Sequence, residues 1–211
     1  PASREGMLAN EDCAFKTLYT NNPYLMAKSA MEDEVRRYAK EGLPVVMVNP
    51  TSLLGPYDSR PSSGTQILMI AKHLMPAYVD GLTNVIDVRD VAMGMVLALE
   101  RGRVGERYIL GHLNTTQHEL NRMIAKVVEV SPPRIPMPFE MARWGSKLGE
   151  WAFTHILHRP PPVPAFFVEV LAHLQHYDCS KAIRELGLPQ SPVENAIRDA
   201  VKWFRGNGYL S

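Results

Sequence analysis

Apolar and polar positions switch between two periods along this chain, and the switches mark out most of its elements. Residues 1–20 read as loop. NPYLMAKSAMEDEVRRYAK then opens with Asn22 as an N-cap and Pro23 in the first turn, and continues helically to about Lys40 before Gly42 stops it. PVVMVNP is a continuous apolar run bounded by prolines, the pattern of a strand buried on both faces in a parallel sheet. SLLGPYDSRPSSG reads as loop, followed by a helix near Thr65 to Leu74, an extended piece PAYV and a strand NVIDV. RDVAMGMVLALERG carries apolar residues at helical spacing and leads into the strand ERYILG. Strands alternating with helices predict an α/β fold with right-handed crossovers.

After Gly111 the pattern becomes mostly helical. Helices are expected over TQHELNRMIAKVVEV, over FEMARWGSKLGEWAFTHILH, and around Ala165 to His176 beyond the linker RPPPVP. A short one follows in DCSKAIRELG, capped by Asp178 or Ser180, and a last one in SPVENAIRDAVKWFRGNG. The division this implies is residues 1–111 as an α/β unit, with an insertion around 55–85, and residues 112–211 as a smaller helical lobe.

Composition narrows the function classes. The chain has 211 residues, 45% of them hydrophobic and 21% charged, with a formal net charge of +1, which describes an ordinary globular protein. No dense Lys/Arg stripe exists to neutralise a phosphate backbone, so nucleic acid is not the expected partner. VPAFFVEVLA is interrupted by Glu169 and is too short to span a bilayer. Cys13 and Cys179 lie far apart and outside any motif, which predicts two free thiols in a reducing compartment, the cytoplasm. The pairs His155/His158 and His173/His176 lack the accompanying ligands of a zinc site, so no metal is expected. Trp144, Leu148 and Trp151 form a stripe at helical spacing that suits core packing or a pocket wall better than a membrane surface, since only Arg143 and Lys147 are there to meet anionic headgroups.

The candidate chemistry lies in two tyrosine–lysine pairs. Tyr24 and Lys28 are four apart within a helix and share one face, where an ammonium beside a phenol favours the phenolate and suits the tyrosine to acid/base work. Tyr177 and Lys181 have the same spacing, but Tyr177 precedes the helix that Lys181 begins, so the two side chains should diverge.

The ordered set of Tyr24-x-x-x-Lys28, GLPVVMVNPTSLLGP, NVIDVRDVAMGMVLALERGRVGERYILG, YDCSKAIRELG and VKWFRGNGYL resembles the extended short-chain dehydrogenase/reductases. Within that superfamily (the NAD-dependent epimerase/dehydratase family) it is most similar to the dihydroflavonol reductase-like branch, which includes hopanoid-associated sugar epimerases. The resemblance implies a Rossmann-like doubly wound parallel sheet with a smaller, mostly helical substrate lobe. It implies NAD or NADP as cofactor, a small-molecule substrate, and a homodimer as a permitted assembly. Tyr24 would be the catalytic acid/base, and Lys28 would support it and hydrogen-bond the nicotinamide ribose. Pro50, Thr51, Ser52 and Leu53 would line the nicotinamide end, and Tyr57, Ser62 and Tyr78 would face the substrate. Asp87, Arg89 and Asp90 match a V-D-x-R-D stretch expected to serve structure.

The family's glycine-rich turn, which brings backbone N–H groups to a pyrophosphate, is missing from these residues. Gly102 and Gly105 have two of its spacings, but Tyr108 takes the third place and the order helix-then-strand is reversed. The family's catalytic Ser or Thr would lie upstream of Pro1. The expectation is therefore the C-terminal portion of an NAD(P)-dependent reductase or epimerase. The rival is a non-catalytic binding protein derived from a dehydrogenase that lost its nucleotide half.

Overall fold

The computed structural model describes residues 8–13, 23–159, 165, 168 and 176–210. Seven strands and seven helices are named here, in chain order: α1 (Pro23–Lys40), β1 (Met47–Pro50), β2 (Ser52–Leu54), α2 (Gly64–Ala71), β3 (Ala77–Tyr78), β4 (Leu82–Asp87), α3 (Val88–Arg101), β5 (Arg107–Leu110), β6 (Leu113–Thr116), α4 (Gln117–Val128), β7 (Ile135–Pro136), α5 (Phe139–His155), α6 (Ser180–Leu186) and α7 (Val193–Gly206). The helix expected around Ala165 to His176 lies largely outside the described residues.

The extended run from Met47 to Leu54 changes partners midway. Its first half, β1, pairs in parallel with β5, Val48 opposite Tyr108. Its second half, β2, pairs in parallel with β4, Ser52 opposite Val85. Thr51 sits at the changeover, its N–H donating to Leu110 O at 3.0 Å and its Oγ1 to Asn84 Oδ1 at 2.8 Å. The pattern predicts loop from Ser52 onward, and the structure instead continues the strand to Leu54. Its pairing comes from β4, some thirty residues away, which local pattern cannot show. The antiparallel strand β6, paired with β4 through Val85 and Leu113, is likewise a tertiary addition. The piece PAYV becomes the two-residue β3, paired with β7.

Strand β4 is buried on both faces from Thr83 to Asp87, so its alternating side chains feed two cores. Val85 joins Leu54, Ile67, Ile70, Ile124, Ile197 and Phe204 beneath α2, α4 and α7. Ile86 joins Val91, Leu97, Tyr108, Leu110 and Leu186 beneath α3 and α6. Helix α7 buries Val193, Ala196, Ile197, Ala200, Val201 and Phe204, one face at 3.6-residue spacing. Helix α4 starts with a capping box: Thr116 Oγ1 accepts from Glu119 N, and the Glu119 carboxylate accepts from Thr116 N. The first residues return to the C-terminal half: Ala9 N donates to His176 O at 3.0 Å, and Asp178 N donates to Ala9 O at 2.9 Å.

Gly111 follows β5 where these layers meet. A Cβ there would stand 2.4 Å from Asn84 Oδ1, 2.7 Å from Cys179 Sγ and 2.9 Å from Thr51 Cγ2. Asn84 and Thr51 are both held by hydrogen bonds, Thr51 to Leu110 O and to Asn84 itself, so neither can retreat cheaply. Gly111→Ala is expected to cost about 1–3 kcal/mol through overpacking, lowering the thermal midpoint by roughly 2–4 °C for each kcal/mol. Comparing melting curves with the parent checks this. Burial, reinforced by the charges of Glu11 and Asp178, pushes the neighbouring Cys179 thiol up to about 12. Alkylation of the folded chain at about pH 8 should therefore label Cys13 and leave Cys179 unmodified until the chain unfolds, as peptide mapping would show.

Candidate active site

Helix α1 follows the segment that contains Asn22, and the expected cap there lies outside the described residues. Among the 18 residues of α1 none is fully buried. Tyr24 and Lys28 stand on successive turns of one face, with Lys28 Nζ 5.8 Å from the centre of the Tyr24 ring. Tyr24 is 48% exposed. The helical spacing thus brings the two side chains together, as the sequence implied.

Between α1, strand β1 and the segment Asn10–Cys13 lies a cleft of about 1120 Å³. Lys28, Pro50 and Thr51 are all on its wall, so helix and strand deliver three of the expected residues to one cavity. Ser52 and Leu53 continue into β2, and Leu53 packs against the core under α3. Tyr24 itself is not on the cleft wall, and the remaining expected residues stand apart from it as well. Tyr57 has φ 73° and lies edge-on to Trp203 at 6.3 Å, 77% exposed. Ser62 is in the exposed turn before α2, where its N–H donates to Asp58 Oδ2 at 3.2 Å. Tyr78 is buried in β3, and its hydroxyl is 2.8 Å from His118 Nδ1.

Four polar residues at or beside this cleft escape sequence reasoning. Glu32 lies one turn beyond Lys28, and its Oε1 accepts from Arg36 Nη2 and from Arg107 Nη1, each at 2.8 Å. Its Oε2 accepts from Asn49 Nδ2 at 3.3 Å. Burial works against ionisation of Glu32, but the Arg36 hydrogen bond and the Arg107 charge outweigh it and hold the carboxyl below the usual glutamate range. Arg107 also donates through Nη2 to the carbonyls of Glu11 and Cys13. The four-residue rhythm Tyr24, Lys28, Glu32, Arg36 is visible in the sequence as a helix face, whereas Arg107 and Asn49 reach it only through folding.

Asn49 Oδ1 is buried and has no hydrogen-bond partner among the described residues, although the residue lines the cleft. A free buried acceptor on a cavity wall, near a lysine ammonium and a threonine, fits the ribose and amide end of a nicotinamide nucleotide, which carries donors for it. Among the described residues the cleft wall carries no glycine-rich cradle for phosphates, and its charges are mixed, Glu11, Asp12, Glu32 and Asp33 standing with Lys28, Arg36 and Arg107.

The second tyrosine–lysine pair is arranged differently. Lys181 Nζ donates to Glu106 Oε2 at 2.7 Å and to Arg107 O at 2.8 Å, and lies 4.8 Å from the Tyr108 ring centre, fastening α6 to β5. The backbone of Tyr177 is bound by Asn114, whose Nδ2 donates to Tyr177 O at 2.8 Å. Asp87, Arg89 and Asp90 join elements. Asp87 Oδ1 caps α3 by accepting from Arg89 N, Arg89 bridges Asp87 to Asp199 of α7, and Asp90 accepts from Ser191 N and Oγ. His155 Nδ1 donates to Trp151 O and His176 Nε2 to Thr115 O, while His173 lies outside the described residues. Among the described residues no helix is long and apolar enough to cross a membrane.

Comparison with known proteins places this architecture. The profile of the NAD dependent epimerase/dehydratase family matches residues 2–111. A candidate dihydroflavonol 4-reductase of Synechocystis is 38% identical over 195 residues, covering 89% of this chain and 56% of that protein. The crystal structure of a nucleoside-diphosphate-sugar epimerase from Pseudomonas aeruginosa superposes with a TM-score of 0.84 at 34% identity, covering 100% of this chain and 65% of that one. A dTDP-glucose 4,6-dehydratase from Streptomyces venezuelae, solved with NAD bound, shares the fold at a TM-score of 0.68 and 20% identity, covering 99% of this chain and 58% of that one. The chain thus spans less than two thirds of the length of these relatives. With an α/β fold built on parallel strand pairs and a profile match over more than half its length, the chain belongs to the NAD dependent epimerase/dehydratase family.

Proposed function

We propose that this chain is the C-terminal portion of an NAD(P)-dependent oxidoreductase or epimerase acting on a carbonyl or hydroxyl carbon of a small molecule. The observation that carries the reading is the placement of Lys28, Pro50 and Thr51 on one cleft, with Tyr24 one helical turn from Lys28. When bound, the nicotinamide supplies or accepts the hydride. Tyr24 gives its phenolic proton to the substrate oxygen in reduction and takes one back in oxidation, as general acid or base. Lys28 holds the ribose by hydrogen bonding, and Asn49 Oδ1 is a further acceptor at that end. Pro50, Thr51, Ser52 and Leu53 form the backing strand.

Ketone reduction and epimerisation share this half-reaction, and both belong to the proposal. Tyr57, Ser62 and Tyr78 are assigned to the substrate side, within the 55–85 insertion. Residues 1–111 are assigned to the nucleotide-binding unit and 112–211 to the substrate lobe. The two free cysteines support work in a reducing compartment, the cytoplasm.

The test has two arms. In the enzyme that carries this chain, Tyr24→Phe should lower turnover by about 10²–10⁴-fold while leaving nucleotide affinity nearly unchanged. Unchanged turnover would instead assign the proton transfer to another group, and no turnover in the parent would favour a binding protein of dehydrogenase descent. For the 211-residue chain itself, titration with NADH and NADPH followed by nicotinamide fluorescence should show binding much weaker than in the longer enzyme, because the glycine-rich turn is missing from these residues.

A further inference from the structure

Helix α1 carries the proposed acid/base pair, yet apolar burial does little to fix its position. None of its residues is buried, and Tyr24, Met26, Met31 and Tyr38 are each 44% exposed or more. A helix held this lightly could slide or rotate against the sheet unless directional contacts define its place. Such contacts converge on one carboxylate. Glu32 takes Arg107 Nη1, from the first residue of β5, at 2.8 Å, and Asn49 Nδ2, from β1, at 3.3 Å. The same guanidinium reaches the carbonyls of Glu11 and Cys13 with Nη2, so a single planar group joins sheet, helix and N-terminal segment. The Glu11 carboxylate in turn accepts from Ile109 N at 2.8 Å, tying that segment to β5. Arg107 and Glu32 are both well shielded, with side chains 18% and 24% exposed, unlike the open pairs Arg37–Glu34 and Arg37–Glu41 on the same helix.

We infer that the Glu32–Arg107 ion pair is a positioning device that sets where α1, and with it Tyr24 and Lys28, stands against the sheet. This rests on the reading of Tyr24 and Lys28 given above. Neither Glu32 nor Arg107 needs to touch substrate. Lys28 lies one turn from Glu32 and Tyr24 two turns, so a displacement released at Glu32 passes to both through a rigid helix. Misplacement of a reacting group by about 1 Å can cost about 10²-fold in rate, which gives the clamp its leverage.

Hydrogen exchange on the 211-residue chain tests this directly, comparing the parent with Glu32→Gln, Arg107→Ala and Arg36→Gln. Arg36 bonds the same carboxylate from within the helix, so its loss perturbs α1 locally but leaves the clamp to the sheet. Amides of α1 should exchange about tenfold faster or more in Glu32→Gln and Arg107→Ala, but change only about twofold in Arg36→Gln, with α3 unaffected throughout. Ethylguanidinium should restore protection in Arg107→Ala and not in Glu32→Gln. Unchanged α1 exchange in the two clamp variants overturns the inference, and so does an equal rise in α1 and α3, which signals general loosening. In the longer enzyme kcat should fall in step with α1 protection, with the nucleotide KM nearly constant, and recover with ethylguanidinium. If Tyr24→Phe leaves turnover intact, the acid/base reading fails, while the exchange pattern still decides the clamp on its own.

Discussion

Asn84, 2% exposed in the middle of β4, makes the hydrogen bonds on which the surrounding architecture depends. Its Oδ1 accepts from Thr51 Oγ1 at 2.8 Å and from His112 N at 3.1 Å, and its Nδ2 donates to Asn114 Oδ1 at 2.7 Å. Asn114 passes the chain of bonds on to the backbone of Tyr177, which forms the bridge to Ala9. One amide therefore joins the changeover between β1 and β2, the turn after β5, strand β6 and the entry to α6. Left unsatisfied at this depth, such a group would cost about 1–3 kcal/mol per lost partner, so the network specifies one arrangement of these segments over others. Gly111 is part of the same constraint, because only a residue without a side chain leaves room for Asn84, Cys179 and Thr51 together.

Around that network the two cores hold unequal responsibilities. The core under α2, α4 and α7 anchors β2 and β4 by apolar packing, with Ile67, Ile124, Ile197 and Phe204 fully enclosed. The side that bears the cleft is held differently. There α1 shows all of its residues at least partly to solvent, with Tyr24, Met26, Met31 and Tyr38 each 44% exposed or more. Charged and polar contacts from Glu32, Arg107, Asn49 and Glu11 do the placing that packing does elsewhere. Their directionality matters at a site where a proton must pass between particular atoms, since a hydrogen-bonded carboxylate defines a position more sharply than an oily surface does.

The helix that carries Tyr24 and Lys28 was legible from Pro23, the 3.6-residue rhythm and Gly42. Strand β4 and helix α3 were legible from NVIDV and the apolar positions that follow. These are local signals, because capping, helical spacing and continuous apolar runs act over a few residues. The reading of Ser52 to Leu54 as loop shows the limit: the glycine and prolines that follow it are local signals, while its strand character is conferred by β4. The partners of Tyr57 and Tyr78 were equally out of reach of local pattern, because Trp203 and His118 lie far away in the sequence.

By itself the sequence determined that an α/β fold would form, that Tyr24 and Lys28 would share a helix face, and that Lys181 would begin a helix from which Tyr177 is excluded. Those results follow from backbone geometry and spacing. Only the tertiary structure decided that Lys28, Pro50 and Thr51 would meet on one cleft, that Asn49 would leave a free acceptor there, and that Lys181 would be bound to Glu106. It also decided that Arg107 would cross to Glu32, a pairing 75 residues apart. Charged side chains carry no periodic signature of their partners, and a contact of that length exists only after the strands between have found their register.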